Sequence, residues 1–172
     1  MSDPDQRLQE KLRRAEAAAA HSPPPLAPFG LILHHDGRWS HEGQPILNRR
    51  LRECFDRSVE YLADEAKFVV RIGRFRGQIE VQEAAFFVRS IDLDSAEVAL
   101  SDLTASPLDP ATLALSPIDG ALLCRVKRDL APAGLDARFS HAAQAELLDA
   151  VEDVGGGYGL RLAGSLVAFP EL

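Results

Sequence analysis

Cysteine is scarce in this sequence. The chain has two cysteines in 172 residues, Cys54 and Cys124, and they form no CxxC or Cys/His spacing of the kind that binds zinc. Both are interpreted as packing thiols of a protein in a reducing compartment, not as nucleophiles. A chain of this length buries about 70% of its unfolded surface, so it needs neither a disulfide nor a metal to fold.

Long apolar runs are also absent. No stretch approaches the roughly 18 uninterrupted apolar residues of a membrane span. The N-terminal segment mixes charges of both signs and has no apolar centre, so it is not typical of a secretory signal. These absences predict a cytoplasmic protein that does not contact a membrane.

The sequence has no excess of basic residues. It contains 19 Lys and Arg against 26 Asp and Glu, which gives a net charge of −7. This balance argues against nucleic acid or anionic lipid as a partner. Hydrophobic residues make up 46% of the chain, which indicates a folded globular protein and excludes a wholly disordered one.

The residue patterns of common enzymes are missing as well. No GxSxG motif occurs, and the adjacent pairs Ser40-His41 and Ser140-His141 do not present a serine–histidine hydrogen bond. The run 155–157 is three glycines, but it follows a predicted helix and precedes a predicted strand, the reverse of a phosphate-binding loop. It is interpreted as a helix C-cap and turn. We therefore expect no catalytic residues, no cofactor and no enzyme activity.

Hydrophobic periodicity predicts an α+β fold. A charged helix over residues 1–20 is followed by a proline-rich linker, and Asp36-Gly37 is typical of a hairpin turn. Helical spacing and capping residues predict two further helices, at 48–62 and 140–154, the second with Ser140 as its N-cap. Alternating apolar runs predict strands at 29–35, 38–41, 67–73, 75–82, 86–93, 97–103, 121–128, 158–163 and 165–169.

A weak internal repeat predicts two similar small lobes. It matches Asp36-Gly37, the helix 48–62 and the strand 68–73 with Asp119-Gly120, the helix 140–154 and the strand 158–164. We expect an N-terminal helix and linker over 1–28. Two α+β lobes are then expected, over 29–103 and 104–172, joined by a proline-punctuated connection.

Histidines and arginines supply the candidate ligand-binding residues. Three histidines lie between positions 34 and 41, but they flank a hairpin, so solvated side chains are favoured over a metal site. Trp39 and His41 are two residues apart and share one face of a strand. Arginines form two groups beside glycines and a helix start, where an anion would find several donors. The candidate ligand-binding residues are Trp39, His41, Arg71, Arg74, Arg125 and Arg138. The alternative is that these arginines are exposed and paired with Glu80, Asp92 and Glu97.

Several segments together resemble the bacterial domain of unknown function 1285 family. They are Asp36-Gly37-Arg38-Trp39, His41, Gly43 to Ile46, the helix with Leu51 and Phe55, Phe68 to Val70, Ile79 to Glu83, Phe86-Phe87, Gly134 to Ser140, and Leu166 to Pro170. The resemblance covers roughly residues 30–170 in the family's order. It implies a duplicated α+β core whose C-terminal lobe is similar to a pleckstrin-homology fold. It also implies a nucleotide-like ligand in a cleft between the lobes, with a role in signalling or stress response.

Two function classes follow. The first is a non-enzymatic module that binds a small anionic, nucleotide-like ligand. The second is an adaptor that docks a protein partner through the N-terminal helix or an exposed strand edge.

Overall fold

The computed structural model describes residues 4–18 and 28–172 of the chain. The proline-rich linker predicted before Pro28 lies outside these residues. The chain divides between Ala85 and Phe86 into two compact units. This division comes earlier than the expected boundary after Leu103, because the strand that begins at Phe86 pairs in parallel with a strand of the second half. Among the described residues, no helix has the length and hydropathy needed to span a bilayer.

The first unit contains two helices and one six-stranded sheet. The helices are α1 (Pro4–Ala18) and α2 (Arg49–Ser58). The strands are β1 (Pro28–Leu33), β2 (Trp39–His41), β3 (Gln44–Pro45), β4 (Val59–Leu62), β5 (Lys67–Ile72) and β6 (Phe75–Val81). Their order is β3-β2-β1-β6-β5-β4, in which β1 and β6 run parallel and every other neighbouring pair is antiparallel.

The hairpin predicted at Asp36-Gly37 is confirmed. Gly37 has φ of 82°, a left-handed conformation that favours glycine, and Asp36 Oδ1 accepts a hydrogen bond from the Arg38 amide at 3.1 Å. The Arg38 carbonyl accepts from the His34 amide at 2.9 Å. These bonds close the turn and set β1 antiparallel to β2.

Helix α2 begins as predicted and ends earlier. The Asn48 side chain caps the helix by accepting from the Leu51 amide at 3.1 Å. Leu51 and Phe55 face the core, but the predicted continuation to residue 62 is wrong because the helix ends at Ser58. Residues 59–62 form β4, and Val59 pairs with Val70. Apolar spacing alone did not distinguish the last helical turn from an extended segment.

Helix α1 lies on the first unit through its apolar stripe. Leu8 and Leu12 are 1% and 6% exposed, and α1 packs against β6. The Glu16 side chain of α1 also lies close to Gly73, in the turn between β5 and β6. A Cβ atom at that glycine would be 2.8 Å from the Glu16 side-chain oxygen. Leu8 and Leu12 thus form the apolar stripe that packs this helix against the sheet.

The second unit contains a six-stranded sheet, a helix and a three-stranded sheet. The first sheet comprises β7 (Phe86–Asp92), β8 (Glu97–Leu100), β9 (Ala105–Pro107), β10 (Ala114–Leu115), β11 (Leu122–Val126) and β12 (Leu135–Phe139), with a short 3₁₀ helix at Pro110–Thr112 between β9 and β10. Its order is β10-β11-β12-β7-β8-β9. Helix α3 (His141–Asp149) follows, and then β13 (Val151–Asp153), β14 (Tyr158–Leu162) and β15 (Ser165–Phe169) form the small sheet.

The C-terminal helix is shorter than predicted. Ser140 caps α3 as expected, since its hydroxyl accepts from the Ala143 amide at 3.3 Å. The helix ends at Asp149 rather than at 154, because residues 151–153 pair with β14. The three glycines at 155–157 consequently form the turn between β13 and β14, and the prediction of a helix C-cap there is wrong. The Val154 amide donates to the Gly157 carbonyl at 3.1 Å within this turn.

Two similar units of an α+β fold are confirmed, and strand pairing defines the repeat. In each unit a three-stranded antiparallel meander is followed by a helical segment and a second meander. The first strand of each sheet runs parallel to the last one, as β1 does to β6 and β7 does to β12. Helix α2 therefore corresponds to the 3₁₀ helix at Pro110–Thr112. The sequence repeat had matched α2 with α3, which instead follows the second sheet.

The two cysteines differ in exposure. Cys124 is 1% exposed, and burial raises the pKa of its thiol to about 12. Cys54 lies on the exposed side of α2, so its interpretation as a packing thiol is wrong.

One thiol should react in the folded protein. We expect Cys54 to react with a colorimetric disulfide reagent near neutral pH and Cys124 to react only after unfolding, because a buried thiol forms little thiolate. Counting thiols with and without denaturant checks this, and a Cys54→Ser variant should show none in the folded state. Two reactive thiols in the folded wild type would contradict the burial of Cys124.

Candidate functional site

An open cleft lies at the start of α3 in the second unit. It has a volume of about 370 Å³. The turn between β10 and β11, the end of β12 and the exposed side of α3 form its walls. The lining residues are Asp119, Gly120, Ala121, Arg138, His141, Gln144, Ala145 and Leu148.

Local hydrogen bonds fix the turn and the helix around this cleft. The Gly120 amide donates to the Ser116 carbonyl at 2.9 Å, and Gly120 has φ of 74°. The Asp119 side chain accepts from the Ala121 amide at 3.2 Å. The Gln144 side chain accepts from the Leu122 amide at 3.0 Å, which ties the first turns of α3 to β11. Hydrogen bonds therefore hold both the turn and the helix that line the cleft.

Arg138 is the central charged group of the cleft. Its side chain is 7% exposed and donates to the Asp119 carboxylate at 2.5 Å, while the Asp119 side chain is 39% exposed. A guanidinium has five N–H donors in one plane, so it can hold a carboxylate and still present donors to a second acceptor. The site can thus offer donors from Arg138 and an acceptor from Asp119.

Of the predicted residues in the second unit, the cleft includes Arg138 and not Arg125. Arg125 lies on β11, where it pairs with Asp136 at 3.0 Å and donates to the Gly134 carbonyl at 3.4 Å. Asp136 and Asp119, which pair with Arg125 and Arg138, were not among the acids expected from the sequence. The sequence pointed to Arg138 because it precedes a helix, and the structure places this residue in the lining of the cleft.

Trp39 and His41 occupy protected positions in the first unit. Trp39 is 1% exposed, its ring centroid lies 5.3 Å from that of Phe55, and its indole N–H donates to Asp56 at 2.9 Å. It therefore presents no ring face to solvent. The His41 side chain is 13% exposed and lies beside Lys11 of α1.

Arg71 and Arg74 lie on the surface of the first unit. Arg71 donates from Nε to both carboxylate oxygens of Glu60, at 2.9 and 2.8 Å. Arg74 is exposed and lies in the turn between β5 and β6. For Arg71, the alternative of a paired surface arginine describes the structure, with Glu60 as the partner.

Other residues of the cleft were not selected from the sequence. They are Asp119, His141, Gln144 and Leu148. Asp119-Gly120 was noted only as a turn, and His141 only as the neighbour of Ser140. Gln144 lies one helical turn after the N-cap, a position from which a side chain reaches back over the helix start.

The histidines of the first hairpin are bonded separately. His34 Nε2 lies 2.8 Å from the Ser40 hydroxyl, and His35 lies beside the Gln82 side chain. Ser40 is buried in the hairpin and His34 is partly buried, so this serine–histidine contact is interpreted as structural. Within residues 4–18 and 28–172, no three His, Cys, Asp or Glu side chains are arranged to hold a metal ion.

Comparison with solved structures decides the fold. A DUF1285 family protein from Silicibacter pomeroyi DSS-3 superposes with a TM-score of 0.58 and 19% identity, covering 90% of this chain and 93% of that one. This chain has the DUF1285 fold. A second DUF1285 family protein, from Shewanella baltica OS155, gives a TM-score of 0.46 and 14% identity over 71% of this chain and 91% of that one. No family model and no curated protein matches the sequence.

Proposed function

We propose that this DUF1285-fold protein is a non-enzymatic module whose second unit binds a small organic anion, nucleotide-like in chemistry, in the cleft at the start of α3. A single observation supports this proposal. Arg138 is an almost fully buried cation, yet its side chain lines an open cleft. Burying a cation is costly unless it is paired, and Asp119 supplies that pairing here; a ligand anion at the opening would join or replace this carboxylate.

The surroundings of Arg138 match the parts of a nucleotide-like ligand. A phosphate or carboxylate would bind the guanidinium near the first turn of α3, where backbone amides favour negative charge. Leu148 is 45% exposed and provides an apolar wall for a ring. Asp119 provides an acceptor for a hydroxyl or an amino group. A cleft of about 370 Å³ falls in the size range of small-molecule sites.

The composition of the cleft favours binding over catalysis. Its lining residues include no Ser, Thr, Cys or Lys that a neighbouring base could activate. The charged groups that line it, Arg138 and Asp119, are already paired with each other. We therefore propose recognition without a covalent step.

Ligand binding should raise the thermal stability of the protein, and Arg138 should be required for this effect. A ligand at a hundredfold excess over its dissociation constant stabilises the native state by about 2.7 kcal/mol. We expect a panel of nucleotides and nucleoside phosphates to shift the melting temperature of the wild type, and inorganic phosphate to shift it less. Arg138→Gln should abolish the shift. Asp119→Asn should enlarge it, because the competing carboxylate is removed.

The matched control is Arg125→Gln, which removes an arginine from the adjacent strand and leaves the cleft unchanged. The double variant Arg138→Gln with Asp119→Asn controls for misfolding of the single variant. It removes both charges of the pair, so neither is left buried without a partner. If the shift persists in both Arg138 variants, the cleft is not the site. A panel without any shift would contradict ligand binding of this class.

The adaptor function is supported less well for the N-terminal helix. A helix that docks in a partner's groove uses its apolar stripe, and in α1 that stripe is already buried on the first unit through Leu8 and Leu12. Docking to a partner would require α1 to detach first.

A further inference from the structure

Contacts made by Asp5 and Lys11 supplement the apolar stripe of α1 on the first unit. The Asp5 carboxylate accepts from the Asn48 amide at 2.8 Å, next to the start of α2. Lys11 Nζ lies 3.0 Å from Glu42 Oε1 and 4.8 Å from the centre of the Phe29 ring. The lysine is therefore the point at which the middle of α1 meets the turn between β2 and β3.

His41 contacts the same lysine. Lys11 Nζ lies 3.4 Å from His41 Nε2. An ammonium group can only donate, so this contact is a hydrogen bond only while His41 is neutral and carries its proton on Nδ1, which leaves a lone pair on Nε2. Burial and the charge of Lys11 lower the pKa of His41, which keeps the ring neutral.

Glu42 connects these two groups. Its Oε1 atom accepts from Lys11 and lies 3.8 Å from His41 Nε2. A protonated His41 would therefore face the carboxylate oxygen that Lys11 uses. It would also bring a second positive charge next to the lysine.

We propose that His41 is a proton-sensitive contact for α1: on protonation it loses the bond from Lys11 and competes with Lys11 for Glu42, so that docking of the helix on the first unit weakens. The Lys11–Glu42 pair is half-exposed, at 45% and 65%, and such pairs hold weakly in water. Protonation of His41 would therefore shift the population of α1 away from the docked state while the apolar stripe continues to favour docking.

The groups that face His41 set the direction of the pH effect. Among the described residues, the charged ones are Lys11 from α1 and Glu42 from the adjoining turn, and Phe29 of β1 adds a backbone hydrogen bond. The pKa of His41 in the docked state lies below the ordinary value of about 6.5. Docking of α1 is therefore strongest at pH values above about 6.5. It weakens as the pH falls through the lowered pKa of His41. Lys11 lowers the pKa of Glu42, so this carboxylate stays charged in the same range.

Hydrogen–deuterium exchange of the full chain tests the proposal. Protection of residues 4–18 is measured at about pH 7.5 and about pH 5.5 and corrected for intrinsic exchange. We expect protection of α1 to fall at the lower pH. The fall is up to about tenfold for each unit by which the pKa of His41 is lower in the docked state than in the released state. Protection of β5, in the same unit, should not change.

Three variants make the test specific. In His41→Gln the side-chain amide still accepts from Lys11 but does not titrate, so protection of α1 should become equal at the two pH values. His35→Gln should keep the full pH response, because this variant removes a histidine that contacts Gln82 and leaves His41 in place. Lys11→Met should lower protection at both pH values and remove most of the difference between them.

Two results would overturn the proposal. One is equal protection of α1 at the two pH values in the wild type. The other is an unchanged fall in His41→Gln or, if that variant does not fold, in Lys11→Met. Neither result bears on anion binding in the second unit, which depends on different residues.

Discussion

Phe55→Ala should lower the free energy of unfolding of the first unit by about 3–5 kcal/mol. Phe55 is 0% exposed at the centre of α2, and its ring packs on Trp39 with 5.3 Å between centroids. The Asn48 cap fixes the start of this helix, so the helix cannot easily move inward to fill the cavity that alanine leaves.

Urea unfolding followed by tryptophan fluorescence measures this effect, because Trp39 is the single tryptophan and lies in the same core. The control is Leu47→Ala, which truncates a side chain that is 76% exposed. That variant should change stability by less than about 0.5 kcal/mol. A loss below about 1 kcal/mol for Phe55→Ala would show that the face of α2 is not a core face.

Lys127→Met should destabilise the second unit by about 3–5 kcal/mol. The Lys127 and Asp102 side chains are only 13% and 9% exposed, and Lys127 Nζ lies 2.8 Å from the carboxylate. Lys127 also donates to the Thr104 hydroxyl at 2.8 Å and lies over the Phe86 ring. Removing the ammonium leaves the charge of Asp102 buried and unpaired, which costs more than the pair contributes.

The double variant Asp102→Asn with Lys127→Met separates these two effects. The asparagine oxygen can still accept from the Thr104 amide and hydroxyl, as Asp102 does at 3.2 and 2.7 Å. With no charge left to bury, the double variant should recover most of the lost stability. Unfolding of the second unit is followed by the reactivity of Cys124 in a Cys54→Ser background. A double variant as unstable as Lys127→Met would show that packing around the lysine stem, and not charge, accounts for the loss.

Local features of the sequence predicted local features of the structure. Asp36-Gly37 specified a hairpin, and Asn48 and Ser140 specified helix starts, because each acts through bonds within four residues of itself. Arg138 was singled out for the same kind of reason, its place just before a helix. These signals need no knowledge of the rest of the chain.

The sequence did not reveal the environment of each side chain. Trp39 and His41 share a face of β2, as predicted, but that face is covered by α2 and by Lys11 of α1 and is not open to solvent. Arg71 was considered with Glu80, Asp92 and Glu97, whereas its partner Glu60 lies on β4, the strand that pairs with β5. Which helix covers a strand, and which strand lies beside it, depends on packing between distant segments.

The sequence by itself determined an α+β chain of short strands with its main turns and helix starts. It also determined the acidic balance and the residues from which a buried core could be formed. Only the tertiary structure decided the pairing of β1 with β6 and of β7 with β12, which makes the two sheets alike and assigns α3 to a separate small sheet. Parallel pairing joins segments that are dozens of residues apart through backbone amides and carbonyls. Every residue except proline carries both groups, so the pattern of side chains does not indicate which strands pair.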